Sequence, residues 1–284
     1  MTAGIIKAEQ AGFCYGVRRA MRLALDLVGS GAGPIYTLGP LMHSPQEVAR
    51  LAKMGVVPRE TVEQCRGGLT LVRTHGISKQ EYRRAGELGV ELVDAVCPRV
   101  KVPRRLIESF GRDGRTVFLL GDGGHPEVRA LESFAGGRVF VFGSEEDIPA
   151  LSPDTPVGLV AQTTQSTNVF ENVARACRCR YSDLEVNCTI CDDAGLRQAE
   201  GRQMASAVDV MLVIGGHNSA NTRRLAEICG SIQIRTHHVE SAGELAGISF
   251  ENADKIGIAS GASTPDWLIE QVEKWLRIHL AKGN

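Results

Sequence analysis

The chain has 284 residues, a formal net charge of −1 and a sequence pI near 6.7, and its charged residues (23%) are interspersed. This balance excludes a basic tail for nucleic acid or anionic lipid, so we expect no nucleic-acid partner. No apolar run approaches the ~20 residues of a membrane span and the N-terminus lacks the apolar stretch of a signal peptide, so we expect a cytoplasmic protein without a membrane partner.

Eight cysteines in such a chain favour free thiols or metal ligands over a disulfide framework. Three of them, Cys14, Cys97 and Cys191, each come at or just before the start of a predicted helix. A thiol at that position feels the positive end of the helix dipole, which favours the thiolate form that binds metal. The three lie 83 and 94 residues apart and divide the chain into near-equal thirds. Cys65 and Cys229 have the context of ordinary small core residues.

Each third repeats one order of elements. After the first helix comes a short apolar strand that ends in glycine, at 35–39, 117–121 and 210–215. A turn follows with a histidine 29, 28 or 26 residues after the cysteine, namely His43, His125 and His217. A second helix is predicted at 47–54, 127–134 and 222–228, and a second buried strand at 69–72, 157–160 and 256–259. Each second strand leads into a small polar turn.

Short apolar runs that alternate with helices predict the α/β class, with small parallel sheets covered by helices on both faces. The period of about 90 residues is too long for a solenoid. We therefore predict three pseudo-equivalent α/β domains at 14–96, 97–190 and 191–284, the last completed by residues 1–13.

Ligands of parallel sheets collect at the carboxyl ends of the strands, where all six polar turns are expected. Three such domains around a centre would bring one cysteine each to a shared metal site. Three thiolates without a fourth equivalent suit a [4Fe-4S] cluster with one iron left open. Zinc with an open position is the alternative.

The polar turns indicate an anionic substrate. Hydrogen-bond donors at strand ends and helix starts are typical of phosphate sites, and here they are His43, His75, His125, Ser219, Asn221 and Ser263. Glu127 is the carboxylate placed to deliver a proton, and enclosure would raise its pKa enough for general acid catalysis. Thr163 and Thr164 are candidates to relay or orient. Neither a P-loop nor a dinucleotide glycine pattern is present, so we predict neither ATP nor NAD as a cofactor.

Eight motifs then carry a resemblance. They are Gly12-Phe13-Cys14-Tyr15-Gly16-Val17, Gly39-Pro40-Leu41-Met42-His43, Arg73-Thr74-His75-Gly76, Asp94-Ala95-Val96-Cys97-Pro98, His125-Pro126-Glu127-Val128, Gln162-Thr163-Thr164, Asn218-Ser219-Ala220-Asn221-Thr222 and Gly261-Ala262-Ser263-Thr264-Pro265. Together they resemble the 4-hydroxy-3-methylbut-2-enyl diphosphate reductases of the methylerythritol phosphate isoprenoid pathway. The resemblance runs in order from about residue 4 to residue 277.

The resemblance implies an iron–sulfur reductase with a trefoil of three α/β domains around a central [4Fe-4S] cluster. It implies that Cys14, Cys97 and Cys191 hold the cluster, that Glu127 supplies protons and that Thr163 lies near the allylic hydroxyl. The six donor residues, with Thr164 beside Thr163, would surround the substrate and its diphosphate. The implied products are isopentenyl and dimethylallyl diphosphate, and the implied electron donor is a ferredoxin or flavodoxin. Basic residues near two of the cysteines would suit an acidic donor.

The chain departs from the family pattern at Ser44, Val96, Leu196 and Ala220, of which Ala220 removes a possible phosphate contact. A second hypothesis is a thiol or zinc sensor without turnover, built on Cys177, Cys179, Cys188 and Cys191, whose C-x-C and C-x-x-C spacings are typical of zinc sites. A third is a sugar-phosphate binding protein that uses only the polar turns.

The third cluster ligand is ambiguous between two neighbouring cysteines. Spacing to His217 slightly favours Cys188, at 29 residues, over Cys191, at 26. Cys191 precedes Asp192-Asp193, a good helix start, and the family motif that continues to Arg197-Gln198 matches Cys191. We therefore predict Cys191.

Overall fold

A computed structural model describes residues 4–31 and 33–280 of the chain. Its strands are β1 (Gly4–Lys7), β2 (Ile35–Leu38), β3 (Val56–Arg59), β4 (Leu69–Val72), β5 (Glu91–Asp94), β6 (Thr116–Leu120), β7 (Val139–Phe142), β8 (Val157–Ala161), β9 (Leu184–Val186), β10 (Val210–Ile214), β11 (Thr236–Val239) and β12 (Lys255–Ser260). Its α-helices are α1 (Tyr15–Gly29), α2 (Pro45–Lys53), α3 (Lys79–Leu88), α4 (Lys101–Arg112), α5 (Pro126–Glu132), α6 (Thr167–Arg180), α7 (Asp192–Ala205), α8 (Ala220–Gly230) and α9 (Asp266–Leu280).

The strands form three four-stranded sheets in which every pairing is parallel. The orders are β3-β2-β4-β5, β7-β6-β8-β9 and β11-β10-β12-β1, the same arrangement three times. This confirms the predicted α/β class with three small parallel sheets. The six predicted strands are the two central strands of each sheet, and the polar turns follow their carboxyl ends as expected.

The chain divides into two compact units. The first unit combines 1–15, 43–47 and 192–284, and contains the sheet of β1 and β10–β12. The second unit combines 16–42 and 48–191, and contains the other two sheets. The domain boundaries at 14–96, 97–190 and 191–284 stay a prediction, and residues 1–3 and 281–284 of that prediction lie outside the described residues.

Helices cover both faces of the sheets, which explains why the central strands are continuous apolar runs. In the β6–β9 sheet, Phe118 and Leu120 pack toward α6 while Val117 and Leu119 pack toward α4 and α5. In the third sheet, Leu212 points to the α9 side and Met211 to the α7 and α8 side. None of the helices within 4–31 and 33–280 is both long and apolar enough to cross a bilayer.

Sequence reasoning did not identify the outer strands β1, β3, β5, β7, β9 and β11. They have three or four residues each, and most of their positions are exposed or half-buried. An outer strand buries less apolar surface than a central one, so it lacks the continuous apolar run by which a short strand is recognised. One outer strand of each sheet, namely β1, β5 or β9, runs into the segment that carries a cysteine at the predicted metal site.

Candidate functional site

The same backbone hydrogen bond holds each of the three predicted cluster cysteines. Cys14 N donates to Ala262 O (2.9 Å), Cys97 N to Thr74 O (3.0 Å) and Cys191 N to Thr163 O (2.9 Å). Each acceptor lies two residues past the central strand β12, β4 or β8. Each cysteine is partly buried and starts a helix or the turn that leads into one, as predicted. The three are therefore equivalent in local structure as well as in sequence.

Burial opposes the ionisation of Cys97. It raises the pKa of the Cys97 thiol, and it outweighs the two N–H groups of Arg99 and Val100 that lower the pKa by hydrogen bonding to the sulfur. Charges on Cys191 and on Glu127 also raise it. The prediction that the helix start favours a thiolate is thus wrong for Cys97 without a bound cation. A metal would supply the positive charge that this pocket lacks.

Glu127 and Thr163 form a buried pair. Glu127 is 1% exposed in the first turn of α5, and Thr163 follows β8. Thr163 N donates to Glu127 Oε1 (2.7 Å), and the Thr163 hydroxyl lies 2.8 Å from Glu127 Oε2. Burial raises the pKa of Glu127 to about 7, although both bonds from Thr163 lower it. Glu127 therefore holds or loses a proton close to neutral pH, as its enclosure led us to expect.

Thr163 connects this acid to a cysteine. Its N–H donates to Glu127 and its carbonyl accepts from Cys191 N, so one residue contacts both groups. Thr164, the next residue, accepts a hydrogen bond from Gln162 Nε2 (3.0 Å). Gln162 Oε1 in turn accepts from Asp122 N, which ties the β8 turn to the β6 turn. These hydrogen bonds between the two turns help to hold Thr163 next to Glu127.

Two of the predicted phosphate ligands meet in the second unit. The His75 and His125 rings lie 5.3 Å apart in an edge-to-face arrangement. His125 caps α5, and its Nδ1 accepts from Glu127 N (3.1 Å). In a neutral imidazole this places the hydrogen on Nε2, which makes that nitrogen a donor. His125 is therefore oriented by the same helix turn that carries the acid.

The first unit holds the remaining predicted ligands on its strand-end turns. Ser219 is the N-cap of α8 and accepts from Thr222 N (3.3 Å). Asn221 is 7% exposed, and its Nδ2 has no hydrogen-bond partner among the described residues. A buried amide donor without a partner is costly unless a ligand satisfies it. The Ser263 hydroxyl donates to His43 O (3.2 Å), which brings the His43 turn to the turn after β12.

The histidine of the third repeat has a different setting. His217 is exposed, its Nε2 lies 3.1 Å from Glu244 Oε2, and its ring lies 4.5 Å from the His238 ring. His217 thus belongs to a surface cluster, which agrees with its omission from the predicted ligands.

The settings of the other cysteines disfavour the zinc site of the sensor hypothesis. Cys177 is fully buried in the β6–β9 core, and burial raises its pKa to about 11. Cys179 and Cys188 are exposed. A four-thiolate site that includes Cys177 would have to open this core. The backbone hydrogen bond to Thr163 also distinguishes Cys191 from Cys188, for which the spacing argument was ambiguous.

The departures from the family pattern differ in burial. Val96 packs in the core of the first sheet and presents its carbonyl to Arg19 Nη1 (3.3 Å). Ser44 is buried, Leu196 is 57% exposed on α7, and Ala220 is the first residue of α8.

Sequence reasoning assigned no role to Arg197, a buried guanidinium that donates to Asp193 (2.8 Å) and to Ser260 O (3.2 Å). The family motif that continues from Cys191 to Arg197-Gln198 was the sequence signal that could have pointed to this residue.

Comparison with known proteins finds a family match over most of the chain. Residues 5–277 match the family described as LytB protein. A protein from Geobacter sp. (strain M21) named 4-hydroxy-3-methylbut-2-enyl diphosphate reductase is 44% identical over 269 residues, which cover 94% of this chain and 95% of that protein. A protein of the same name from Geobacter metallireducens is 42% identical over 273 residues, 96% of each chain.

Two solved structures are also similar. One is described as (E)-4-hydroxy-3-methyl-but-2-enyl diphosphate reductase, the terminal enzyme of the non-mevalonate pathway; it is 40% identical, with a TM-score of 0.71 over 98% of this chain and all of the other. The reductase from Plasmodium falciparum, at 21% identity and a TM-score of 0.91 over 98% of this chain and 88% of its own, supports the fold alone. By the family match over residues 5–277 and by these relatives, the chain belongs to the LytB protein family.

Proposed function

We propose that the chain catalyses the reductive dehydroxylation of 4-hydroxy-3-methylbut-2-enyl diphosphate. Two electrons and two protons are taken up, the allylic C–O bond breaks, water leaves, and isopentenyl and dimethylallyl diphosphate form. The observation that carries this proposal is the buried Glu127–Thr163 pair, which the backbone of Thr163 also joins to Cys191. A carboxyl group with a pKa of about 7 next to a predicted metal ligand supports the role of proton donor. Membership of the LytB protein family supports an allylic diphosphate as the substrate.

The donor set fits a [4Fe-4S] cluster held by Cys14, Cys97 and Cys191. Three sulfurs in equivalent, partly buried settings suit iron–sulfur ligation, and the raised pKa of Cys97 agrees with a thiol that ionises only when metal binds. When bound, such a cluster supplies electrons and, with three protein ligands, a Lewis-acidic open position. Among the described cysteines, the remaining five are buried in cores or exposed elsewhere.

In this proposal Glu127 is the general acid and Thr163 its relay. A protonated Glu127 can donate to the Thr163 hydroxyl, which can pass its own hydrogen to the leaving hydroxyl of the substrate. The low exposure of both residues keeps bulk water from competing for the proton. Thr164 holds the β8 turn in register through Gln162.

The diphosphate is assigned to His43, His75, His125, Ser219, Asn221 and Ser263. Support comes from the buried Asn221 amide without a partner among the described residues, and from the Nε2 donor of His125. The N-terminus of α8 adds backbone N–H groups and a dipole that favour an anion. Ala220 contributes no hydroxyl, so its backbone and its neighbours carry the binding.

The electrons require an external carrier, because no nicotinamide or nucleotide motif occurs in the chain. We propose a small acidic ferredoxin or flavodoxin that docks on a basic surface beside Cys97. Arg18 and Arg22 are exposed on α1, and Arg105 is exposed on α4. None of the three forms an ion pair with another described residue. A partner without charge would leave this positive surface unexplained.

Further contacts hold the basic surface next to the cysteine. The Arg19 guanidinium donates to Asp94 O (2.9 Å) and Val96 O (3.3 Å), which fixes α1 against the segment that ends at Cys97. Lys101 pairs with Asp94, so its charge is neutralised.

A cytoplasmic location is part of the same proposal and is supported by eight free thiols. A sugar-phosphate binding protein would leave the three equivalent cysteines without a role.

The first prediction concerns Glu127→Gln. The amide keeps the size of the side chain and cannot supply a proton, so turnover should fall by about 10²–10⁴-fold while iron content stays unchanged. In the wild type, kcat/KM should fall as pH rises through about 7, where Glu127 loses its proton, and the variant should lack this limb. Near-normal turnover in the variant would assign the proton to another group.

The same substitution should also change how stability depends on pH. The pKa of Glu127 is about 7 in the folded protein and 4.5 as its ordinary value, so protonated Glu127 stabilises the fold fully below pH 4.5. This contribution is lost as the pH rises through about 7. The melting temperature of Glu127→Gln relative to wild type should therefore be higher at pH 8 than at pH 5.

The second prediction separates the two adjacent cysteines. Cys191→Ser should lose the stable cluster and activity, because Cys191 has the backbone setting shared with Cys14 and Cys97. Cys188→Ser is the matched control and should keep both, since Cys188 is exposed. Iron and sulfide content with turnover provides the measurement. Equal loss in both variants would revive a C-x-x-C metal site.

The third prediction concerns the anion site. Asn221→Ala should raise KM about tenfold or more, since a hydrogen bond to a charged group contributes about 1.5–3 kcal/mol. Ala220→Ser should be neutral or lower KM, and inorganic diphosphate should compete with substrate. Steady-state kinetics checks all three. An unchanged KM in Asn221→Ala together with no competition would move the anion site elsewhere.

The fourth prediction tests the donor surface. Arg18→Glu with Arg22→Glu should slow turnover driven by an acidic ferredoxin about tenfold or more at low salt, and the difference should narrow as salt screens the charges. Turnover driven by dithionite should be unchanged. Arg175→Glu with Arg178→Glu, also exposed arginines but on α6, is the charge-matched control. Equal slowing in both double variants would place the donor elsewhere.

A further inference from the structure

The segment of residues 43–47 packs on the strand-end turns of the third sheet. It belongs to the first unit, whereas the residues on either side of it belong to the second. The Ser263 hydroxyl donates to His43 O (3.2 Å), and Gln46 Nε2 donates to Glu240 O (3.4 Å). A Cβ added at Gly216 would lie 2.7 Å from His43 O, so the turn after β10 also packs closely on this carbonyl. The His43 main chain thus lies between two strand-end turns.

These two turns carry the other predicted anion ligands of the first unit. The turn after β10 leads to Ser219 and Asn221, and the turn after β12 contains Ser263. Contacts that seat His43 on these turns therefore set the spacing among the ligands. Fixing that spacing before binding lowers the ordering cost that an anion would otherwise meet.

The contact from Ser263 cannot persist if Ser263 binds the diphosphate. A serine hydroxyl has one hydrogen to donate, and phosphate oxygens need donors. Ser263 must then turn its hydrogen from His43 O to the anion. Other contacts then have to keep the His43 turn in place, and the long Gln46–Glu240 hydrogen bond (3.4 Å) is one of them.

The Glu47–Trp267 hydrogen bond meets this requirement. Trp267 Nε1, in the first turn of α9, donates to Glu47 Oε2 at 2.9 Å, and Glu47 is 1% exposed. An indole nitrogen only donates, so its bond does not depend on the orientation of a rotatable hydrogen. Glu47 lies four residues after His43, and Pro45 between them has a fixed φ. The position of Glu47 therefore limits where the His43 turn can lie.

We propose that Glu47 and Trp267 are positioning residues that hold the His43 turn against the turns of Ser219, Asn221 and Ser263, and so preorganise the diphosphate site. This inference rests on the proposed function, because it takes the diphosphate site from that proposal. Neither residue needs to contact the substrate. Their effect is on the affinity for the diphosphate, not on the chemical step.

The test is Trp267→Phe in the anaerobically purified holoenzyme. Phenylalanine retains an aromatic ring in the core and removes the N–H donor. We expect the KM for substrate and the Kd for inorganic diphosphate to rise about tenfold, which corresponds to about 1.4 kcal/mol, while kcat stays within about twofold of the wild type. Calorimetric titration with inorganic diphosphate gives the Kd independently of turnover.

Trp275→Phe is the matched control. Trp275 packs against the same core and stacks on His279, with ring centroids 3.9 Å apart, and among the described residues it has no hydrogen bond or ring contact with the His43 turn. This variant should bind inorganic diphosphate as the wild type does. If Trp275→Phe weakens binding as much as Trp267→Phe, the effect is general to the core and the inference is wrong.

A second variant removes the same hydrogen bond from the acceptor side, in case Trp267→Phe does not fold. Glu47→Leu removes the acceptor and leaves the indole in place, so it should raise the same Kd. Its effect on the Kd should be smaller in the Trp267→Phe background than in the wild type, because the two residues share one hydrogen bond. An unchanged Kd in a folded single variant would overturn the inference alone. A wild type that does not bind inorganic diphosphate would instead overturn the anion site of the proposed function.

Discussion

The hydrogen bond from each cysteine N–H to the carbonyl two residues past a central strand is the constraint on which the site depends. It occurs at Cys14, Cys97 and Cys191 with nearly equal lengths. The bond requires that an outer strand leads the cysteine segment to the carboxyl end of its sheet. It also requires that the turn after the central strand presents a backbone carbonyl to that segment. The repeated sheet order provides both, so the fold is conserved between repeats where it positions sulfur.

The third of these hydrogen bonds also links Glu127, the proposed acid, to a predicted metal ligand. Thr163 accepts from Cys191 with its carbonyl and donates to Glu127 with its N–H and its hydroxyl. A displacement of the β8 turn would therefore disturb the cysteine and the proton donor together. Burial raises the pKa of Glu127 to about 7 against the effect of both hydrogen bonds, and the proposed acid role depends on this. A more exposed glutamate at this position would be ionised at neutral pH.

The sequence was most informative where burial is strong. The central strands are apolar on both faces, so β2, β4, β6, β8, β10 and β12 could be predicted from short apolar runs, and three cysteines at helix starts indicated the repeat. The outer strands could not be predicted, because half-exposed segments of three or four residues carry no distinctive pattern. The ionisation of Cys97 was predicted wrongly, since helix position can be read from sequence whereas burial of the sulfur requires the fold. Contacts over long sequence distances, such as Glu47 with Trp267, had no local signal.

Two units share the predicted ligands, and each orders its own part internally. The second unit orders four of them, His75, His125, Glu127 and Thr163, through a ring contact, a helix cap and a hydrogen bond from the turn after β8. The first unit fixes the His43 turn, Ser219 and Asn221 through the turns of the third sheet. In both units, side chains and backbone groups next to the ligands set the geometry, so the ligand residues alone do not define the site.

The central claim is that Cys14, Cys97 and Cys191 hold an iron–sulfur cluster. The most direct test is the visible absorption spectrum of anaerobically purified protein together with its iron and acid-labile sulfide content. The account predicts a brown protein with about four iron and four sulfide per chain, whose colour is lost in air. A colourless protein that contains only zinc would contradict it.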